Sequence, residues 1–260
     1  MVLLNPGKVE KYYKEKLSTQ GAMLFSLIDP DKLPMEKGEE MGRVSYENGA
    51  DAILVGGSIG AQGKVLDETV KMIKEGCGGI PVVLYPGNIS GLSEYADAVY
   101  FMHMLNSRDV YWLSTAQIQA APVVAKMKLE AIPTTYLIIE PGRAVGWVGN
   151  ANLVPRERSD LAAACALAAK YTGSHVLITD AGSGAPLPTT PQMISAIAKA
   201  VGNDLFYFNG GGVRTPKQAA ECIAAGAHGI QVGNVFEEQI DAKKIKAMSA
   251  AVRKEGKKRV

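Results

Sequence analysis

Residues 207–216 read YFNGGGVRTP: an apolar pair, an asparagine, three consecutive glycines, then a Thr-Pro pair suited to opening a helix. One strand and one helix later, 228–234 read HGIQVGN. Each stretch is an apolar run that ends in a corner nearly free of side chains. Successive N–H groups in a glycine turn form a nest for an anion, and a helix N-terminus adds its positive end. Two such corners on neighbouring strands fall where (β/α)8 barrels commonly hold a phosphate, after strands 7 and 8. The fold therefore turns on whether six strand-and-helix units precede them.

Six do. Apolar, β-rich runs recur at 22–28, 51–55, 80–85, 97–102, 134–140, 174–179, 204–209 and 228–233. Nearly unbroken hydrophobicity, rather than alternation, marks parallel strands covered on both faces. Helical stretches lie between most of them, at 35–49, 63–76, 159–173, 190–202 and 215–226. Ser159, Thr190 and Thr215 are placed as N-caps, with Pro191 and Pro216 at the first helical position. Gly49, Gly76, Gly173, Gly202 and Gly226 stand where those helices should stop.

This alternation predicts a parallel sheet, and its pace of roughly 30 residues per strand predicts an α/β (β/α)8 TIM barrel. The whole chain, 1–260, is expected to form that one domain. An open doubly wound sheet is the alternative, but it would place its Gly-rich turn after the first strand, where this chain reads DPDK. Before the first strand, VEKYYKEKL puts Val9, Tyr12, Tyr13 and Leu17 on one face, predicting an extra N-terminal helix under the barrel. After the third strand, PGNISGLSEYA (86–96) is too short and too rich in Gly and Ser for a helix. A shortened connection there should leave one flank of the barrel open.

Composition narrows the function. The chain has 260 residues, 47% hydrophobic and 21% charged, with a formal net charge of +2. That balance argues against nucleic acid as a partner, and the basic tail RKEGKKRV reads as a solvated helix end. Cys77, Cys165 and Cys222 have no paired spacing, which suits a reducing cytoplasm rather than a disulfide or zinc framework. No window approaches the roughly 20 apolar residues that cross a bilayer.

In a barrel the chemistry gathers at the carboxyl ends of the strands. There the chain places Asp29-Pro-Asp31-Lys32, Gly56-Gly57-Ser58, Asn88, Arg108, Glu140, Asp180-Ala-Gly182-Ser183-Gly184, the glycines 210–212 and Gly233-Asn234. A carboxylate ending strand 1 beside a serine ending strand 2 suits Mg²⁺, which takes one or two protein oxygens and fills its shell with water and substrate phosphates. Asp29 capping its own DPD turn is the plainer reading. His103, His175 and His228 lack partners at ligand spacing and read as core or rim histidines. No Ser-His-Asp set is legible, and no strand ends in a Schiff-base lysine; Lys32 could serve only if its loop folds inward. That pattern points to positioning and charge stabilisation rather than covalent catalysis.

The motifs LIDPDK (27–32), VGGS (55–58), YPGN (85–88), YLIIEPG (136–142), AGSGA (181–185), NGGGVRTP (209–216) and GIQVGN (229–234) resemble, in order, the archaeal geranylgeranylglyceryl phosphate synthase family, in its larger-sized group. Bacterial cousins of that family make heptaprenylglyceryl phosphate. The resemblance implies a Mg²⁺-assisted prenyltransferase. The 3-hydroxyl of sn-glycerol 1-phosphate attacks C1 of geranylgeranyl diphosphate, releasing diphosphate and forming the first ether bond of archaeal membrane lipids. By that pattern Asp29 and Ser58 hold the metal. Ile178, Thr179, Asp180, Ala181, Gly182, Ser183 and Gly184 clasp the glycerol phosphate, and Gly211, Gly212, Gly233 and Asn234 bind its phosphate. Asp180 or Glu140 is the carboxylate that accepts the hydroxyl proton. Where the family usually reads Tyr-Leu-Glu, this chain reads Ile178-Thr179-Asp180, so the carboxylate is one methylene shorter and the Tyr hydroxyl is gone.

Most of Tyr100, Met102, Met104, Tyr111, Trp112 and Ile118 read as core or subunit interface, with enough among them to line a groove for the prenyl tail. The expected partners are the two small-molecule substrates, further copies of the chain as a homo-oligomer, and a membrane surface touched transiently on product release. The rival functions are a phosphate-binding isomerase or lyase acting on a sugar phosphate, and a non-catalytic barrel that binds phosphorylated lipid.

Overall fold

The computed structural model describes residues 5–33, 35–56, 62–233, 236 and 240–260. Helix α1 (Lys8–Gln20) precedes β1 (Met23–Ile28), followed by α2 (Gly38–Glu47), β2 (Ala52–Val55), α3 (Gly63–Gly76), β3 (Val82–Leu84) and β4 (Ala98–Met104). The chain continues through α4 (Ala116–Met127), β5 (Glu130–Ile138), α5 (Arg143–Val148), α6 (Ser159–Tyr171), β6 (Val176–Asp180) and α7 (Pro191–Val201). It ends with β7 (Phe206–Gly210), α8 (Pro216–Ala225), β8 (Gly229–Val232) and α9 (Ala242–Gly256). The eight strands close into a barrel in chain order, each parallel to the next, with β8 paired back to β1.

Alternation along each strand sorts side chains into two cores. Phe25, Leu54, Tyr100, Tyr136, Ile178, Phe206 and Phe208 point inward and fill the barrel. Their neighbours Leu24, Ile53, Val99, Leu137, Leu177, Tyr207 and Ile230 point outward against the helices. The interior is tight: a Cβ on Gly229 would lie 2.7 Å from the Phe25 ring, so β8 contributes no side chain at that level.

Helix α1 closes the amino-terminal end, as its apolar face predicts. Val9 and Tyr13 are buried in the barrel interior, with Tyr12 and Leu17 packed beside them. The Tyr13 ring meets Phe25, Phe206 and Phe208 edge-on, and its hydroxyl lies 3.1 Å from that of Tyr100. Glu130, at the start of β5, accepts the N–H groups of Val9 at 2.8 Å and Glu10 at 3.0 Å. A carboxylate at a helix N-terminus is stabilising for the orphan donors and for the dipole alike.

Between β3 and β4 no helix forms, so the flank is open there. Helix α4 follows a five-residue π-turn (Tyr111–Thr115) and packs loosely. Only its Val124 is buried, while Ile118 is 71% exposed.

Three local expectations change. Arg158, not Ser159, takes the N-cap position of α6, and no side chain caps it. Strand β5 begins at Glu130, ahead of Pro133, because 130–133 pairs only with β4; β6 joins from Thr134. A proline is tolerated where one side of the ladder is missing. The basic tail is solvated only in part: Lys254 and residues 257–260 are exposed, while Gly256 is buried, Arg253 donates to the Gly49 carbonyl at 3.2 Å and Arg259 to the Ala227 carbonyl at 2.8 Å. Thr190 and Thr215 do cap their helices, accepting the N–H groups of Met193 and Gln218.

Candidate active site at the carboxyl ends of the strands

A cavity of about 410 Å³ opens at the carboxyl end of the barrel and runs to the open flank. Its polar end is walled by Asp29, Asp31, Lys32, Asp180, Ser183 and Gly233. Its apolar end lies between the 86–92 connection, β4 and α4, with Ile89, Leu92, Phe101, Met102, Trp112 and Ala120 on its walls. Tyr85, Tyr100, Met104 and Tyr136 form the floor between the two ends. The missing helix after β3 is what lets an interior cavity reach the surface.

Asp180 is the buried carboxylate of this site, 8% exposed at the last position of β6. Its Oδ2 accepts the Tyr136 hydroxyl at 2.8 Å, and its Oδ1 accepts the Gly182 N–H at 2.6 Å. Burial raises its pKa above the ordinary carboxylate value, and the two donated hydrogen bonds pull the other way. Burial and the nearby Asp180 charge push the phenols of Tyr85 and Tyr136 well above their usual range. Glu140, the other candidate base, does not line the cavity. Its carboxylate accepts the backbone N–H of Arg156 at 3.3 Å. Of the two carboxylates, Asp180 alone faces the space where a substrate would lie.

The glycine corner after β7 stands beside it. A Cβ on Gly211 would fall 2.4 Å from Asp180 Oδ1, and one on Gly212 would fall 2.4 Å from the Leu187 carbonyl. Both glycines have positive φ, 75° and 77°, so the turn needs glycine for conformation as well as space. Their N–H groups donate to no described residue. Gly233 differs: a Cβ there would meet Leu27 at an ordinary 3.4 Å, so packing does not demand glycine and the open space faces the cavity. The amides of Arg214, Thr215 and Gln218 at the start of α8 are taken by its capping box, through the Gln218 side chain and the Thr215 hydroxyl. The amides left without a partner among the described residues therefore belong to the glycine backbone and not to the start of α8.

At the opposite wall, Asp29 ends β1 and pairs with Lys32, whose loop does fold toward the cavity. Burial raises the Asp29 carboxyl, opposed by its bond to Lys32. Ser58 and Asn234 lie outside the described residues. Among the described residues no group of three His, Cys, Asp or Glu could cage a metal. A single hard carboxylate beside a second, Asp31, fits an Mg²⁺ ion that arrives with substrate phosphates and not one held permanently.

The remaining expectations sort cleanly. His103 lies 3.2 Å from the Thr135 hydroxyl, His175 pairs with Glu10 at 2.6 Å, and His228 accepts the Tyr207 N–H at 3.0 Å. All three are structural. Burial first, and then Arg259, lowers His228 to about 4. The three cysteines are free. Of the groove residues, Tyr100, Met102, Met104 and Trp112 line the cavity, whereas Tyr111 does not and Ile118 faces outward. Sequence reading assigned no role to Tyr85, Tyr136 or Gln231. The signal available was strand alternation, which turns all three inward near the carboxyl ends of β3, β5 and β8.

These features define a (β/α)8 barrel in which a glycine corner, a buried carboxylate and an apolar groove meet at the carboxyl ends of the strands. A profile of the PcrB family matches residues 16–252. Geranylgeranylglyceryl phosphate synthase of Methanosarcina acetivorans is 44% identical over 247 residues, covering 95% of this chain and 99% of that protein. That of Thermococcus kodakarensis is 45% identical over 236 residues, covering 91% and 92%. Among solved structures, (S)-3-O-geranylgeranylglyceryl phosphate synthase from Thermoplasma acidophilum in complex with sn-glycerol-1-phosphate superposes with a TM-score of 0.89 at 31% identity, covering 98% of this chain and 100% of that one. The chain belongs to the PcrB family of geranylgeranylglyceryl phosphate synthases.

Proposed function

We propose that this enzyme transfers the geranylgeranyl group of geranylgeranyl diphosphate to the 3-hydroxyl of sn-glycerol 1-phosphate, the first ether-forming step of archaeal membrane lipid synthesis. One observation carries the reading: a single cavity joins Asp180 and Gly233, with the Gly211 turn packed against Asp180, to an apolar groove that leaves through the open flank. An acceptor with one phosphate suits the polar end, and a long hydrocarbon suits the other. In the reaction the acceptor oxygen bonds to C1, the C1–O bond to diphosphate breaks, and the hydroxyl proton passes to the Asp180 carboxylate. No enzyme nucleophile is needed.

The Gly211 and Gly212 amides, with Gly233 and the family position Asn234, hold the acceptor phosphate. Asp29, with Ser58 by family pattern, holds Mg²⁺. When bound, that ion neutralises charge on the leaving diphosphate. Lys32 pairs with Asp29 and would have to leave that carboxylate for it to hold a metal, its charge then being available to the diphosphate. The exposed Ile118 and Val123 of α4 support a homo-oligomer, and the open flank supports brief contact with a lipid surface as the apolar product leaves. No described helix is long and apolar enough to cross a membrane.

A radiometric transfer assay tests the reading. With labelled sn-glycerol 1-phosphate and geranylgeranyl diphosphate, label should enter the organic phase with Mg²⁺. EDTA or Asp29→Ala should stop it. Full activity of Asp29→Ala would remove the metal role. Absence of transfer with prenyl diphosphates of any length would overturn the reaction.

A further inference from the structure

Gln231 is a polar side chain in the apolar interior of the barrel. It is 4% exposed, and on β8 its neighbours Ile230 and Val232 pack outward, which turns Gln231 inward beside its register partner Phe25. Its Nε2 is buried with no hydrogen-bond partner among the described residues. Two unmade donors in such surroundings are costly, so a partner absent from the free chain is called for. The oxygen of the same carboxamide faces a gap on the neighbouring strand, and the two ends of an amide exchange by a flip. A Cβ on Gly210 would stand 3.2 Å from Gln231 Oε1 and 3.3 Å from Asp180 Oδ2. Glycine at 210 therefore keeps open a gap with a carboxylate on one side and a carboxamide on the other.

We infer that Gln231 is a specificity-determining residue for the acceptor, holding the hydroxyl on its middle carbon; this rests on the prenyl-transfer reading above. An acceptor anchored by its phosphate over Gly211 and Gly233, with its reacting hydroxyl at Asp180, lays its middle carbon over Gly210. In sn-glycerol 1-phosphate that carbon carries the 2-hydroxyl. A carboxamide both donates and accepts, and its last torsion is broad and two-fold, so Gln231 serves a hydroxyl in either orientation. The site thereby separates a triol phosphate from an analogue with hydrogen at the middle carbon, because only the former satisfies the buried amide.

The test compares sn-glycerol 1-phosphate with 3-hydroxypropyl phosphate, which lacks only the 2-hydroxyl, at saturating geranylgeranyl diphosphate. The wild type should favour the first. Gln231→Met keeps the volume and removes the amide. It should raise KM for sn-glycerol 1-phosphate about tenfold and leave KM for the analogue and for the prenyl diphosphate unchanged, collapsing the preference. Gln231→Asn, which withdraws the amide by one methylene, should collapse it too and stands in if the Met variant fails to fold. A preference kept at its wild-type value in the folded variant overturns the inference, as does a wild type that treats both acceptors alike. Calorimetric binding of the two acceptors gives the same ratio without turnover. If the wild type transfers no prenyl group, the reaction assignment fails while the binding ratio still decides the role of Gln231.

Discussion

The two ends of the barrel both bury ionisable groups, and they treat them in opposite ways. At the amino-terminal end Glu10, Glu130, Tyr13 and Tyr100 are matched to partners. Glu10, raised by burial and held back by His175, lies 2.6 Å from that ring, and Glu130 is consumed by the N-terminus of α1. Tyr13 and Tyr100 share a hydrogen bond beneath the aromatic floor. At the carboxyl-terminal end Asp180 is buried beside free space, and among the described residues the Gly211 and Gly212 amides and the Gln231 amide nitrogen have no partner. The first arrangement spends polar groups on fixing α1 to the barrel. The second holds them unspent, and a perturbed carboxylate beside a cavity is the usual mark of chemistry.

If this division is right, one substitution at each end should fail in a different currency. The largest effect belongs to Asp180→Asn, which keeps the shape and removes the proposed proton acceptor. Its kcat should fall about a thousandfold, within the span of general base catalysis, while its unfolding midpoint holds or rises as a buried carboxylate is removed. Single-turnover transfer and denaturant unfolding on the same preparation read both. Tyr13→Ala is the mirror experiment and the next largest. Deleting a fully buried ring from the α1 plug should cost about 3–5 kcal/mol of stability, with KM for both substrates unchanged in the folded fraction. A Tyr13→Ala enzyme that folds normally but loses acceptor affinity would break the comparison.

The sequence made this division partly visible. The strands were legible because runs such as SHVLIT and DLFYFN stay apolar on both faces, which only a doubly covered parallel sheet requires. The α1 plug was legible from four apolar residues on one helical face. The glycine corners were legible because GGG and GN leave little else to be. Choosing between Asp180 and Glu140 was not, since both end strands; only the fold shows that the Glu140 carboxylate turns away to the Arg156 amide. Gln231 was hidden in the motif GIQVGN, where a polar residue between apolar ones reads equally as inward or outward until the register with β1 is known. Helix α5 escaped because RAVGWV carries no cap and too few residues for a periodic signal.

The finest test of the contrast is the Tyr136 hydroxyl, a polar group at the carboxyl end that already has its partner in Asp180. Its hydrogen bond favours the ionised form of Asp180, while burial favours the protonated form and is the larger influence. The acid limb of the kcat profile should therefore lie above the ordinary carboxylate range, because activity is lost as pH falls through the raised Asp180 pKa. Tyr136→Phe removes the donor and leaves burial in place, so the pKa rises further and the limb moves to higher pH. At alkaline pH, where Asp180 is ionised in both proteins, the two rates should converge. A lowering of kcat by the same factor at every pH would instead place the Tyr136 hydroxyl on the substrate, making it one more unspent group and not a positioning residue for Asp180.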